Sequence, residues 1–249
     1  MDNHPTIRTN NLEPNQTQFN VGTIQPVECV KEAWELIKET YWLFFGITAV
    51  GILIGSLFAI ILMGPMMCGI YFCVFKRMRG EKIEFGDLFR GFDYFLQSLI
   101  ATLLQTIPII VIFIPFYLII MIGMFRSMAA AGASGEPNVG LVFSSIILWV
   151  LVIMLISVLV NIFCMFTYPL IVDRKLSGID ALRTSISAAW ANIGSVVVLA
   201  ILTFVMGMVG VLLCYVGALF VLPVTITAHA VAYRKIFPMV PAVSPSPIA

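Results

Sequence analysis

The residue in this chain best suited to proton chemistry is His229, which lies inside an apolar run five residues before Arg234. At 1.5 Å of helix per residue it would stand roughly 7.5 Å from the basic end of that run. An imidazole in hydrocarbon is a candidate proton relay or ligand contact, because apolar surroundings leave its ring nitrogens unsatisfied. A shallow position also lets water or a backbone carbonyl satisfy them. Thr225 and Thr227 would add hydroxyls to such a site, and Pro223 would break the helix beside them by withholding a backbone N–H. Pro65 offers the same interruption in an earlier apolar run. A second chemistry is electrostatic. Lys76, Arg77 and Arg79 close that earlier run with a basic cluster placed to meet anionic lipid headgroups, each charge being worth about 1 kcal/mol near a membrane surface. Such clusters also act simply as topology determinants.

Nothing else along the 249 residues assembles into a reaction centre. The other histidine, His4, falls in a polar N-terminal segment, and no carboxylate pair, metal-ligand spacing or nucleophile with a base can be put together. The expectation is therefore a protein that is not an enzyme and holds no metal or cofactor. Cys29, Cys68, Cys73, Cys164 and Cys214 are scattered singly and read as small hydrophobes. A formal charge of +1 leaves no excess to attract nucleic acid. Gln105, Asn161 and Thr203, with the two threonines above, are embedded polar groups able to bond across helices without ionising.

The elements that must position these residues are membrane helices. The chain is 60% hydrophobic and 11% charged with a mean hydropathy of +1.03, whereas soluble domains carry about 25% charged residues. The fold class expected is all-α, a polytopic transmembrane bundle of about six spans near 41–61, 63–78, 95–124, 141–168, 195–213 and 217–234. Gly64-Pro65 is the expected break between the first two. Pro108 and Pro115 leave the third block open to reading as one kinked span or two short ones, and charge decides. With one span, Arg126 is alone on the outside, while Arg8, Lys31, Lys38, Lys76, Arg77, Arg79, Lys82, Arg90, Arg174, Lys175, Arg183, Arg234 and Lys235 gather on the cytoplasmic side. Both termini are then cytoplasmic. Residues 1–25 read as a disordered polar tail without a cleavable signal, residues 26–237 as the membrane domain, and residues 238–249 as a Pro-rich disordered tail.

Amphipathic helices are expected at the cytoplasmic interface. Val27, Val30, Trp34, Ile37 and Tyr41 share one helical face from Pro26 onward; Phe85, Leu88, Phe89, Phe92 and Phe95 form a second; Ile179, Leu182, Ile186, Trp190 and Ile193 form a third behind a Ser177/Asp180 cap. An Ala- and Gly-rich external loop is expected over 127–140, and an external turn at Cys214–Gly217. Gly51 and Gly55, and Gly207 and Gly210, allow close helix packing. The halves also echo one another: Lys76 follows Pro65 by eleven residues and Arg234 follows Pro223 by eleven, with Phe75 and Tyr233 in matching places. A parallel repeat of that kind would put two proline-broken helices in corresponding positions, a pointer to a binding site in transporters.

The stretches Gly64-Pro65 through Arg79-Gly80-Glu81, Gly86-Asp87-Leu88-Phe89-Arg90-Gly91-Phe92, Tyr168-Pro169-Leu170-Ile171-Val172-Asp173-Arg174 and Ala232-Tyr233-Arg234 resemble an uncharacterised group of bacterial multi-pass membrane proteins. That group is similar to the membrane domain preceding some glycerophosphodiester phosphodiesterases. The resemblance implies a helical bundle in a bacterial inner membrane and no assigned activity; no hydrolase domain is expected here. The leading functional expectation is a non-enzymatic bundle that binds membrane lipids or another membrane protein. The alternative is a small-solute transporter or channel built around Pro65, Pro223, Thr225, Thr227 and His229.

Overall fold

The computed structural model describes residues 18–22, 24–134, 139–212 and 216–237. Its helices are α1 (Pro26–Ile37), α2 (Tyr41–Leu57), α3 (Ala59–Met78), α4 (Phe95–Ser134), α5 (Val139–Cys164), α6 (Thr167–Arg174), α7 (Gly178–Ala191), α8 (Ile193–Leu212) and α9 (Val216–Ile236), with 3-10 helices at Lys38–Thr40 and Phe85–Tyr94. No strand occurs among the described residues. Among the described residues, six helical segments are long and apolar enough to cross a membrane, the architecture of an all-α membrane bundle. The expected Pro-rich tail and the tip of the Cys214–Gly217 turn lie outside the described residues.

Helix α1 begins where Pro26 can lack its N–H without loss, and the face it buries shares only Ile37 with the apolar face read from the sequence. Cys29, Ala33 and Ile37 point inward at four-residue intervals, while Val27 and Trp34 face out. Small residues win the interior because α1 packs closely along α9. The break between the first two spans also differs. It falls at Phe58 (φ −132°, ψ 68°), and Pro65 continues inside α3. The carbonyl of Phe58 accepts from Ile61 and Leu62, which restarts the helix before the proline.

The 3-10 helix Phe85–Tyr94 replaces the expected α-helical stripe. With three residues per turn, Leu88 and Gly91 fall in one row and face in, while Phe89 and Phe92 fall in another and are exposed; Phe85, at the start of the inward row, is exposed as well. Its contact with α3 is backbone on backbone. A Cβ at Gly69 would lie 1.9 Å from the Leu88 carbonyl oxygen, and one at Gly91 would lie 2.0 Å from that of Pro65.

Helices α4 and α5 form a long hairpin whose outer parts are largely exposed. Helix α4 runs on to Ser134 where a loop from residue 127 was expected, and its Ala-rich end explains this, since alanine is the strongest helix former. The span expected over 141–168 is divided: α5 ends at Cys164 and α6 restarts at Thr167, with Pro169 in the first turn, where proline is tolerated. The core is densest at the end of the bundle bearing Lys76, Arg77, Arg234 and Lys235. There the buried rings of Phe75 and Tyr233 lie 5.5 Å apart, those of Tyr233 and Phe237 4.9 Å, and those of Phe166 and Phe237 6.2 Å.

Candidate functional site

On α9, Thr225 and His229 are four residues apart and share a face, while Thr227 falls on the opposite side. Both hydroxyls donate within their own helix, Thr225 to the Val221 carbonyl at 3.1 Å and Thr227 to that of Pro223 at 2.7 Å. Thr227 is fully buried, and the Nε2 of half-buried His229 has no hydrogen-bond partner among the described residues. Pro65 does not open a matching gap: α3 and α9 both run through their prolines, and the backbone of Gly91 packs against the Pro65 carbonyl. Among the described residues no hydrogen bond joins Thr225, Thr227 and His229 to one another.

The basic cluster is spread among internal partners. Lys76 Nζ donates to Asp87 Oδ2 at 2.8 Å, both side chains being largely buried, and the Glu84 backbone N–H donates to the same oxygen at 2.9 Å. Arg77 donates from Nε to the Leu36 carbonyl at 3.1 Å and from Nη2 to Glu39 at 2.9 Å. Arg79 pairs with Glu81, whose carboxyl that hydrogen bond holds below the usual carboxylate range. Of the three, Arg79 keeps the most exposure, at 42%, and Lys76 the least, at 18%.

The echo between the halves takes physical form here. As Lys76 meets Asp87, so Arg234 meets Asp173 on α6, donating from Nη1 and Nη2 at 2.9 and 2.6 Å. Tyr233 donates its hydroxyl to Asp173 at 2.8 Å, and the Arg234 guanidinium lies 4.5 Å from the Phe75 ring centroid. Lys235 reaches Glu32 of α1 at 2.7 Å. Sequence reasoning overlooked Asp87 and Asp173 as the partners, although each lies within one of the short motifs quoted above.

The segment preceding α1, expected to be disordered, is in its described part docked on this end. Gly22 N–H donates to Asn192 Oδ1 at 2.7 Å, Asn192 Nδ2 to the Asn20 carbonyl at 3.2 Å, Asn20 N–H to the Ile236 carbonyl at 2.8 Å, and Arg174 Nη1 to the Gln18 carbonyl at 3.2 Å. The Phe19 ring lies 6.0 Å from that of Phe237. Asparagine at 192 succeeds because its amide both accepts and donates, which suits an extended strand of backbone.

Beside exposed charged side chains such as Lys31, Glu35, Arg90 and Arg183, the helices at this end also expose apolar ones: Trp34 on α1, Phe85, Phe89 and Phe92 on the 3-10 helix, and Ile179, Ile186 and Trp190 on α7. Beside α7 a cleft of about 400 Å³ opens between α4 and α5, with Leu104, Pro108, Leu159, Phe163, Ile186 and Trp190 among its walls and Gln105 as its polar residue. The volume is within the roughly 300–1,000 Å³ of ligand pockets.

Over 86 residues the chain is 43% identical to an uncharacterised protein of Mycobacterium bovis, and equally to uncharacterised proteins of two strains of Mycobacterium tuberculosis. The match covers 33% of this chain and 26% of each relative, so the chain matches about a quarter of the length of these relatives. No known protein family matches the chain, and no solved structure does.

Proposed function

We propose that this chain is a non-enzymatic integral protein of a bacterial inner membrane, both termini cytoplasmic, whose interfacial helices at the charged end bind membrane lipid. The observation that carries this reading is the division of labour at that end. Lys76, Arg234 and Lys235 turn inward to carboxylates, while Trp34, Phe85, Phe89, Phe92 and Trp190 turn outward. The two tryptophans suit the headgroup layer, where the indole ring is apolar and its N–H stays wet, and the three phenylalanines suit the acyl boundary just beneath it. The test is replacement of Phe85, Phe89 and Phe92 together by serine. Quantified in a mild detergent, the co-purifying phospholipid should fall several-fold; lipid content equal to that of the unaltered protein overturns the reading.

A second reading, movement of a small solute, rests on His229, whose buried Nε2 lacks a partner among the described residues, on a helix carrying Pro223. Reconstituted vesicles in which no proton or solute flux responds to His229→Gln would remove it.

A further inference from the structure

We propose that the cleft between α4, α5 and α7 holds one acyl chain of an anionic phospholipid whose phosphate is met by Arg183. This rests on the lipid-binding reading and narrows it to one site. Gln105 aside, the cleft is walled by apolar side chains: Leu104 and Pro108 from α4, Leu159 and Phe163 from α5, Ile186 and Trp190 from α7. Such walls offer a polar solute almost nothing to bond, and they match a flexible hydrocarbon chain. The location favours the same occupant, because α4 and α5 are long and apolar enough to cross a membrane and the amphipathic α7 packs against both. A lipid can therefore enter sideways with its headgroup left in the interfacial layer.

Charge selects the headgroup. On α7, Arg183 precedes Ile186 by three residues and Trp190 by seven, so the three share one face. Arg183 is exposed and makes no ion pair among the described residues, unlike Lys76, Arg234 and Lys235. Its guanidinium can grip a phosphate with two parallel N–H donors. The Trp190 indole stacks on Phe163 at 6.0 Å and is 70% exposed, which places a ring suited to the headgroup boundary between the cleft and the water.

The test uses the full chain in phosphatidylcholine vesicles doped with phosphatidylglycerol that carries a photoreactive diazirine midway along one acyl chain. Adducts should concentrate on Leu104, Leu159 and Ile186 by at least fivefold over Ile119 and Leu151, which are exposed farther along α4 and α5. Unlabelled phosphatidylglycerol should compete better than phosphatidylcholine. That preference should vanish in Arg183→Gln and return in Arg183→Lys. Adducts spread evenly over the exposed apolar residues would mean annular lipid only and overturn the site, as would competition indifferent to Arg183. Failure here with continued lipid loss in the Phe85/Phe89/Phe92 variant refutes the cleft alone; unchanged lipid in that variant refutes the broader reading.

Discussion

The guanidinium of Arg234 grips the carboxylate of Asp173 with two hydrogen bonds, and the pair ties the last span to the short helix α6. Both side chains are largely withdrawn from solvent, at 14% and 18% exposure, and Tyr233 adds a third bond to the same carboxylate. Removing one member of such a pair leaves the other charge poorly solvated.

Asp173→Asn should therefore destabilise the bundle by roughly 3 kcal/mol, the lower end of the range for a broken buried pair, because some solvent contact remains. Arg234→Lys should lose part of this through the loss of the two-pronged geometry. Adding Arg234→Gln to Asp173→Asn should recover some of the loss by removing the stranded cation. A double-mutant cycle on unfolding in detergent micelles measures the coupling, and strictly additive effects would show that the pair contributes little.

The seam between α3 and the 3-10 helix depends on two absent side chains. Gly69→Ala and Gly91→Ala each force a methyl group to within about 2 Å of a backbone carbonyl oxygen, which only a shift of the backbone can relieve. A loss of about 3 kcal/mol or more is expected, at the upper end of overpacking costs. Gly86→Ala, on the same 3-10 helix with nothing within 4 Å, is the control and should be tolerated. Thermal unfolding of the three variants side by side decides the matter.

The spans were legible because lipid demands long apolar runs. What was not legible depended on which neighbour arrived. Nothing local marks Phe58 rather than Pro65 as the turn; the proline survives inside α3 because the bundle packs around it, as membrane helices allow. The eleven-residue echo of Lys76 and Arg234 was visible, but Asp87 and Asp173 became their partners only when distant segments closed together. The inward face of α1, with Cys29 and Ala33, was missed for a related reason. In lipid an exposed apolar stripe carries no penalty, so hydrophobicity alone does not say which side of a helix is buried.

Asn192 pins the segment before α1 through bonds in both directions, to Gly22 N–H and to the Asn20 carbonyl. Asn192→Ala removes both at once and should free residues 18–22 from the bundle end at a local cost of about 1–3 kcal/mol. Limited proteolysis should then cut this segment several-fold faster, with the global unfolding temperature nearly unchanged. Equal cleavage rates would show that Phe19 on Phe237 and Gln18 on Arg174 hold the segment without help.

The orientation proposed from the charges is open to direct test at opposite ends of the bundle. Arg126 is exposed near the far end of α4, and Lys175 is exposed just after α6 in a left-handed conformation (φ 53°). Of the native thiols, Cys29, Cys68 and Cys73 are buried and should stay silent, so Cys164 and Cys214 are first replaced by alanine. In that background Arg126→Cys should react with a membrane-impermeant maleimide on intact cells, whereas Lys175→Cys should react only after permeabilisation. The reverse pattern would invert the bundle, moving Arg183 and the exposed Phe85, Phe89 and Phe92 to the outer leaflet. The lipid proposal would then have to be tested against the composition of that leaflet.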